Sequence, residues 1–165
     1  MNNIYLVGMP GCGKSTIGRA VSKKLGIKFV DVDDYIVKKA GKNIAEIFSK
    51  VGNEGFRKIE SECLLDISKM ENVIVATGGG IVTIPENIPV MKDTGKVIFI
   101  DTPVENILKN SSLSNRPLLK DKSKIYELYN ERIEKYNLAS DFICENSGER
   151  ILTEKKLLEI CKKII

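Results

Sequence analysis

Short apolar runs alternate with longer amphipathic stretches along this 165-residue chain. The short runs are apolar on both faces, which is typical of strands buried between two layers of helices. They are IYLVG at 4–8, KFVDV at 28–32, VIVAT at 73–77, KVIFI at 96–100 and DFIC at 141–144. The longer stretches carry apolar residues near helical spacing, at 14–25, 34–50, 54–70, 103–109, 122–137 and 153–164. This alternation predicts an α/β fold, a three-layer α/β/α arrangement around a five-stranded and mainly parallel sheet.

The composition fits one domain of this kind. A chain of 165 residues with 42% hydrophobic residues is long enough for one core and too short for two. Its net charge of +4 comes from interspersed basic and acidic residues, which does not indicate nucleic-acid binding. No stretch approaches the roughly 18 to 20 apolar residues of a membrane span, and the four cysteines form no CxxC pair. We therefore expect a single cytoplasmic domain over 1–165, monomeric by default.

The chain contains no histidine. Imidazole acid–base catalysis, histidine-dependent nucleophilic triads and histidine-bearing metal sites are therefore excluded. Any chemistry has to rest on lysine, arginine, aspartate, glutamate, hydroxyl groups and the backbone.

The most specific motif is Gly8-Met-Pro-Gly-Cys-Gly-Lys14-Ser15, which fits the GxxxxGK[ST] pattern between a predicted strand and a predicted helix. Its glycines let backbone N–H groups approach phosphate oxygens, and the helix N-terminus adds its positive end. Lys14 can reach the outer phosphates, and the Ser15 hydroxyl can ligate magnesium. The residues expected to bind the phosphates of a nucleotide are Gly11, Cys12, Gly13, Lys14, Ser15 and Thr16.

Two aspartates stand at the end of the second predicted strand, in the sequence Asp31-Val-Asp33-Asp34. In extended backbone the side chains of Asp31 and Asp33 point to the same side, so both could face the terminal phosphate. One carboxylate could hold magnesium while the other accepts a hydrogen bond from an attacking hydroxyl. The alternative is a solvated strand end, or a helix N-cap supplied by Asp33 or Asp34.

Two further clusters precede and follow the third strand. Arg57 and Glu60 lie three residues apart at the start of a predicted helix and can pair, which by itself indicates an ordinary surface salt bridge. Gly78-Gly79-Gly80 follows the strand VIVAT, where a ligand could approach bare backbone. A tight turn is the simpler explanation of these glycines.

The segment 110–123, NSSLSNRPLLKDKS, is polar and Ser-rich and lies between two predicted helices. These features predict a mobile loop. Arg116 lies in it directly before Pro117, and Arg132 lies on the following helix, four residues before Tyr136. Taken singly, each arginine is more simply explained as a solvated side chain.

The pieces GMPGCGKST, DVDD, FRKIE, TGGGIV, RPLL and the Arg132 to Tyr136 spacing, in this order, resemble the shikimate kinase family. The resemblance spans nearly the whole chain, although only the first piece is specific alone. It implies a P-loop NTPase fold of the nucleoside monophosphate kinase type, with a substrate-binding subregion at 32–60 and a lid at 110–123. It also implies transfer of the ATP γ-phosphate to the 3-hydroxyl of shikimate, with Mg²⁺, in chorismate and aromatic amino acid biosynthesis.

The resemblance further implies a role for individual residues. Those implied in catalysis are Lys14, Asp33 and Arg116; in magnesium binding, Ser15 and Asp31; in shikimate binding, Asp33, Arg57, Gly79, Gly80 and Arg132; and in closing over ATP, Arg116. Two arginines suit an acid because each guanidinium offers a planar carboxylate a fixed pair of donors. The expected role of Asp33 is to orient the nucleophile, and whether it also removes the proton stays open.

The chain departs from the family at two places. Asn53 stands where the family usually has glutamate, and ENSGER at 145–150 occupies the stretch where some members place an arginine by the adenine. The adenine contact therefore stays open. Two other interpretations also remain, another small-molecule P-loop kinase acting on gluconate or a nucleoside monophosphate, and a nucleotide switch without turnover. Measured turnover distinguishes all three.

Overall fold

A parallel sheet forms the centre of the protein in the computed structural model, which describes residues 2–109 and 122–165. Its strands are β1 (Asn3–Val7), β2 (Lys28–Asp31), β3 (Val73–Ala76), β4 (Gly95–Asp101) and β5 (Phe142–Glu145). Their order across the sheet is β2-β3-β1-β4-β5, and every neighbouring pair is parallel. The predicted five-stranded parallel sheet is thus confirmed, and the carboxyl ends of its strands meet at one edge.

Helices flank this sheet, as the alternating pattern predicts. They are α1 (Lys14–Leu25), α2 (Val32–Ala40), α3 (Ile44–Ser68), α4 (Asn87–Thr94), α5 (Val104–Leu108), α6 (Lys122–Ala139) and α7 (Arg150–Ile164), with a short 3₁₀ turn at Ile81–Thr83. The sequence pattern did not predict α4. No helix in the described ranges is long and apolar enough to cross a membrane.

The predicted helices at 34–50 and 54–70 are wrong in their boundaries. The first one ends earlier, because Gly41 adopts a left-handed conformation with φ 68° after α2, and Asn43 then caps α3 by accepting a hydrogen bond from the Glu46 N–H at 2.8 Å. The predicted break between these two helices, near residue 52, is only a kink inside α3. Gly52 has φ 71° and ψ −175° there, which no helical residue adopts.

The core lies on the central strands. Every residue of β1 is buried, and β3 and most of β4 are buried as well, because helices cover both faces of the middle of the sheet. Strand β2 lies at one edge and is only partly covered. This core supports the carboxyl ends of β1, β2 and β3, where the P-loop, aspartate and glycine residues of the predicted site lie.

Candidate active site

The P-loop, residues 8–15, connects β1 to α1. Gly13 occupies the N-cap position of α1 with φ 99°, a left-handed conformation that favours glycine, and no described side chain caps the helix there. The first N–H groups of α1 therefore have no intrahelical partner and point toward the loop, as a bound phosphate requires. Thr16 follows in the first turn of α1 and is exposed.

Lys14 is folded back over this loop. Its Nζ donates hydrogen bonds to the carbonyl oxygens of Gly8 at 2.8 Å and Met9 at 3.0 Å, and it lies 3.5 Å from the Cys12 Sγ. Only 7% of Lys14 is exposed. The ammonium group is thereby held against the backbone of the loop.

The Cys12 end of the P-loop is held by a hydrogen-bonded group of three side chains, Thr102, Asn146 and Thr153. We call this group the brace below the P-loop, and sequence analysis missed it. The Cys12 carbonyl accepts hydrogen bonds from the Thr102 Oγ1 at 2.9 Å and from the Asn146 Nδ2 at 3.0 Å. Asn146 also donates to Thr102 and accepts from the Thr153 Oγ1 at 2.6 Å. Asn146 belongs to the ENSGER stretch, so this stretch supports the backbone of the loop through its side chain. Its position after the last strand was the available signal.

Asp31 and Asp33 do not share an extended strand, so the predicted geometry is wrong. Strand β2 ends at Asp31 and α2 begins at Val32, which places Asp33 in a helical first turn. The N-cap is Asp31, whose Oδ1 accepts from the Asp34 N–H at 3.2 Å, and neither Asp33 nor Asp34 takes this position. The Asp31 Oδ2 accepts a hydrogen bond from the Ser15 hydroxyl. The two predicted magnesium ligands are therefore in contact.

The glycine loop, residues 78–80, lies between the P-loop and the predicted acceptor residues. Strand β3 pairs with both β1 and β2, so this loop emerges beside the P-loop on one side and beside Asp33 on the other. A methyl group on Gly79 would lie 2.5 Å from the Pro10 ring. A methyl group on Gly78 would lie 3.3 Å from the Asp33 Oδ1.

Arg57 and Glu60 form a buried ion pair, so the prediction of an ordinary surface salt bridge is wrong. The Arg57 Nη1 donates to the Glu60 Oε1 at 2.9 Å, and only 13% of the arginine side chain and 1% of the glutamate side chain are exposed. A methyl group on Gly80 would collide with the Arg57 guanidinium. Glycine at residue 80 thus leaves room for this guanidinium against the loop, and a larger residue there would displace it.

Glu60 is the central anion of the site, and sequence analysis did not assign it a role there. Burial raises the pKa of its carboxyl, the nearby Arg57 guanidinium opposes this rise, Asp33 adds to it, and Arg132 lowers it. Its Oε2 is buried and has no hydrogen-bond partner among the described residues. A single carboxylate thus lies within the electrostatic reach of three predicted acceptor residues. We call Asp33, Arg57, Glu60 and Arg132 the acceptor cluster.

Arg132 enters the acceptor cluster from α6. This helix packs on the 3₁₀ turn that follows the glycine loop, and its Tyr136 hydroxyl donates to the Gly79 carbonyl at 2.6 Å. The structure therefore brings together all the predicted site residues that it describes. Arg116 and nearly all of the predicted lid, 110–123, lie outside the described residues.

Comparisons with known proteins agree with this geometry. The family model described as shikimate kinase matches residues 10–165. Shikimate kinases from two strains of Clostridium botulinum, Alaska E43 and Eklund 17B, are 48% and 47% identical to this chain, covering 99% of it and 97% of each relative. The solved shikimate kinase from Acinetobacter baumannii, in complex with shikimate, is 36% identical with a TM-score of 0.91, covering 99% of this chain and 94% of that one.

Proposed function

This chain belongs to the shikimate kinase family, and we propose that it works through the P-loop and the acceptor cluster. Its reaction transfers the γ-phosphate of ATP to the 3-hydroxyl of shikimate, giving ADP and shikimate 3-phosphate, in chorismate and aromatic amino acid biosynthesis. One observation carries the assignment of the acceptor site. Asp33 and Arg57 border a glycine loop that packs against the P-loop, and Arg132 lies within electrostatic reach of the Glu60 that pairs with Arg57.

The nucleotide binds, on this proposal, through the backbone N–H groups of residues 11–16. Lys14 neutralises charge on the outer phosphates, because its Nζ already lies against the backbone of the loop. Phosphoryl transfer requires mainly alignment and charge neutralisation, which a rigid loop supplies at little reorganisation cost. The brace below Cys12 supports that rigidity.

The Ser15 hydroxyl and the Asp31 carboxylate would hold Mg²⁺. Both groups are oxygen donors, they are in contact, and they lie at the phosphate end of the P-loop, which fits a cation that prefers few protein ligands plus phosphate oxygens. When bound, Mg²⁺ neutralises phosphate charge. The chain's own contribution is to keep these two oxygens together, with Asp31 fixed by its second hydrogen bond at the N-cap of α2.

Shikimate would bind by its carboxylate to Arg57 and Arg132. Guanidinium groups suit a planar carboxylate, and the buried Glu60 holds Arg57 in a defined orientation before the substrate arrives. Ring hydroxyls would meet the backbone of Gly79 and Gly80, where the absence of side chains permits close approach.

Asp33 would orient the attacking hydroxyl. It stands in the first turn of α2, beside the glycine loop, and the chain has no histidine that could serve as a base instead. Its carboxylate can accept a hydrogen bond from the 3-hydroxyl and, as the phosphoryl group is transferred, take its proton. Arg116, from the 110–123 lid, would close over ATP. We propose a cytoplasmic monomer as the working form.

The direct test is ADP release by the purified protein with ATP and magnesium, with shikimate, gluconate and nucleoside monophosphates supplied as parallel acceptors. We expect shikimate alone to support turnover. Turnover only with another acceptor would retain the P-loop assignment and overturn the acceptor site. No turnover with any of them would favour a nucleotide switch.

A further inference from the structure

The Tyr136 hydroxyl lies at a junction of three parts of the site. It donates to the Gly79 carbonyl at 2.6 Å and lies 3.9 Å from the Met9 Sδ of the P-loop. The side chain is completely buried, and its ring stacks on Phe99 with centroids 5.2 Å apart. The ring contact fixes where the hydroxyl can point, because the stack leaves it little freedom to move.

Arg132 reaches the same hydroxyl. It precedes Tyr136 by one helical turn on α6, so both side chains project from the same face of that helix. Burial raises the pKa of the Tyr136 phenol well above its usual value, and the positive charge of the nearby Arg132 guanidinium partly offsets this rise. The hydroxyl therefore stays protonated at any ordinary pH and donates to the Gly79 carbonyl, and its oxygen lone pairs can still accept from the nearby Arg132 guanidinium.

The hydrogen bond to Gly79 also fixes the following peptide plane. In a trans peptide the Gly80 N–H points away from the Gly79 carbonyl. A carbonyl held by Tyr136 therefore directs the Gly80 N–H to the opposite side of that plane. Gly80 itself borders the Arg57 guanidinium. One buried hydroxyl thereby sets the orientation of a backbone donor in the acceptor site, the Gly80 N–H.

We propose that Tyr136 is a positioning residue for the acceptor, which acts by holding the Gly79–Gly80 peptide and the Arg132 guanidinium in one fixed arrangement. The identity of the acceptor rests on the proposed function. Tyr136 itself is completely buried, so on this proposal it acts through these groups and not by contact with a substrate. Its effect should therefore fall on acceptor affinity and leave the nucleotide side almost unchanged.

The test compares Tyr136→Phe with Tyr5→Phe. Tyr5 is a matched control, because it is also fully buried and its hydroxyl makes a hydrogen bond of 2.6 Å, to Thr94, on an element that contributes nothing to the acceptor cluster. Both variants keep the ring and lose one buried hydroxyl, so their melting temperatures should fall to a similar extent. Steady-state kinetics would give KM for shikimate and for ATP separately, and calorimetry would give the shikimate Kd.

We expect Tyr136→Phe to raise the KM and Kd for shikimate about five- to twentyfold, with KM for ATP changed less than about twofold. Tyr5→Phe should change neither constant. Equal effects of the two variants on shikimate, or an equal rise in both KM values for Tyr136→Phe, would overturn the positioning role. Failure of the proposed function is a separate result, since it would appear as absent shikimate turnover in the unmodified protein.

Discussion

The two halves of the site are built by different means. The P-loop is one contiguous stretch in which backbone groups do the binding, and its shape depends on local hydrogen bonds and a left-handed Gly13. The acceptor cluster draws Asp33, Arg57, Glu60 and Arg132 from three helices, and its side chains depend on one another through buried charge. A backbone site can thus be identified from a motif, whereas a side-chain site exists only once the fold has assembled it.

We expect the largest loss from removal of the ammonium group that lies against the backbone of the P-loop. Lys14→Ala should lower kcat about 10²- to 10³-fold, because no other described ammonium lies in the loop to offset phosphate charge. ADP release with shikimate measures it. Lys24→Ala, an exposed lysine near the end of α1, is the control and should retain full turnover. Retention of more than a tenth of the activity by Lys14→Ala would contradict the assigned role.

Removal of the Arg57 side chain should impair the acceptor half of the site and leave the nucleotide half nearly intact. Arg57→Ala should raise KM for shikimate about ten- to a hundredfold, since it removes a charged donor and leaves Glu60 unpaired. KM for ATP should stay nearly constant in the same kinetic series. The matched control is Arg19→Ala, which also removes a guanidinium lying over a phenylalanine ring but on the exposed face of α1. A comparable rise in KM for ATP would show that the halves are not separable.

Weakening the brace below the P-loop should impair ATP binding and leave shikimate binding unchanged. Asn146→Ala removes a hydrogen bond to the Cys12 carbonyl, and a neutral bond of this kind contributes about 1 kcal/mol. We expect KM for ATP to rise about fivefold while KM for shikimate is unchanged. Asn137→Ala, at an exposed position of α6, controls for loss of an amide. An unchanged KM for ATP would remove Asn146 from the nucleotide side.

The smallest effect concerns the pH dependence of stability. The pKa of Glu60 is raised in the folded state, so the folded protein binds more protons than the unfolded chain above about pH 4.5. The stability of the unliganded protein should therefore fall as pH rises through the interval up to the raised pKa. Glu60→Gln lacks this titration and should gain melting temperature, relative to the unmodified protein, as pH increases from 4 to 8.

The control for this titration is Glu159→Gln. Glu159 also forms an ion pair at i,i+3 spacing, with Lys162 at 3.5 Å, but both side chains are largely exposed. Its substitution should leave the pH dependence as it is. A melting-temperature difference between Glu60→Gln and the unmodified protein that did not vary with pH would refute the buried charge of the acceptor cluster.

The parts that sequence analysis predicted correctly have local signals. A local apolar run predicts each strand, and the spacing of the glycines, lysine and serine in GxxxxGK[ST] predicts the P-loop. Neither prediction requires knowledge of distant residues. Helix α4 was missed because Pro85 and Pro89 suggest a loop. Pro89 occupies the third position of α4, where its missing N–H costs no intrahelical hydrogen bond.

The errors at the site concern properties that only tertiary structure determines. The FRKIE segment shows that Arg57 can pair with Glu60, but the burial of that pair depends on α3 packing near the glycine loop. Asp31 and Asp33 do not share the predicted strand face because β2 stops one residue earlier than its apolar pattern suggests. The brace from Asn146 to Cys12 joins residues 134 positions apart, with no motif to reveal it.

The tight packing of side chains on Gly78 and Gly80 has a consequence for drug resistance. An inhibitor bound in the acceptor site would lie beside these two glycines and the charged side chains that pack on them. Any replacement at Gly80 brings a Cβ into the Arg57 guanidinium, and any replacement at Gly78 brings one to 2.5 Å from the Glu60 Oε2. A mutation that displaced such an inhibitor would disturb the residues that the enzyme needs for its own substrate, so few escape routes would be open to it.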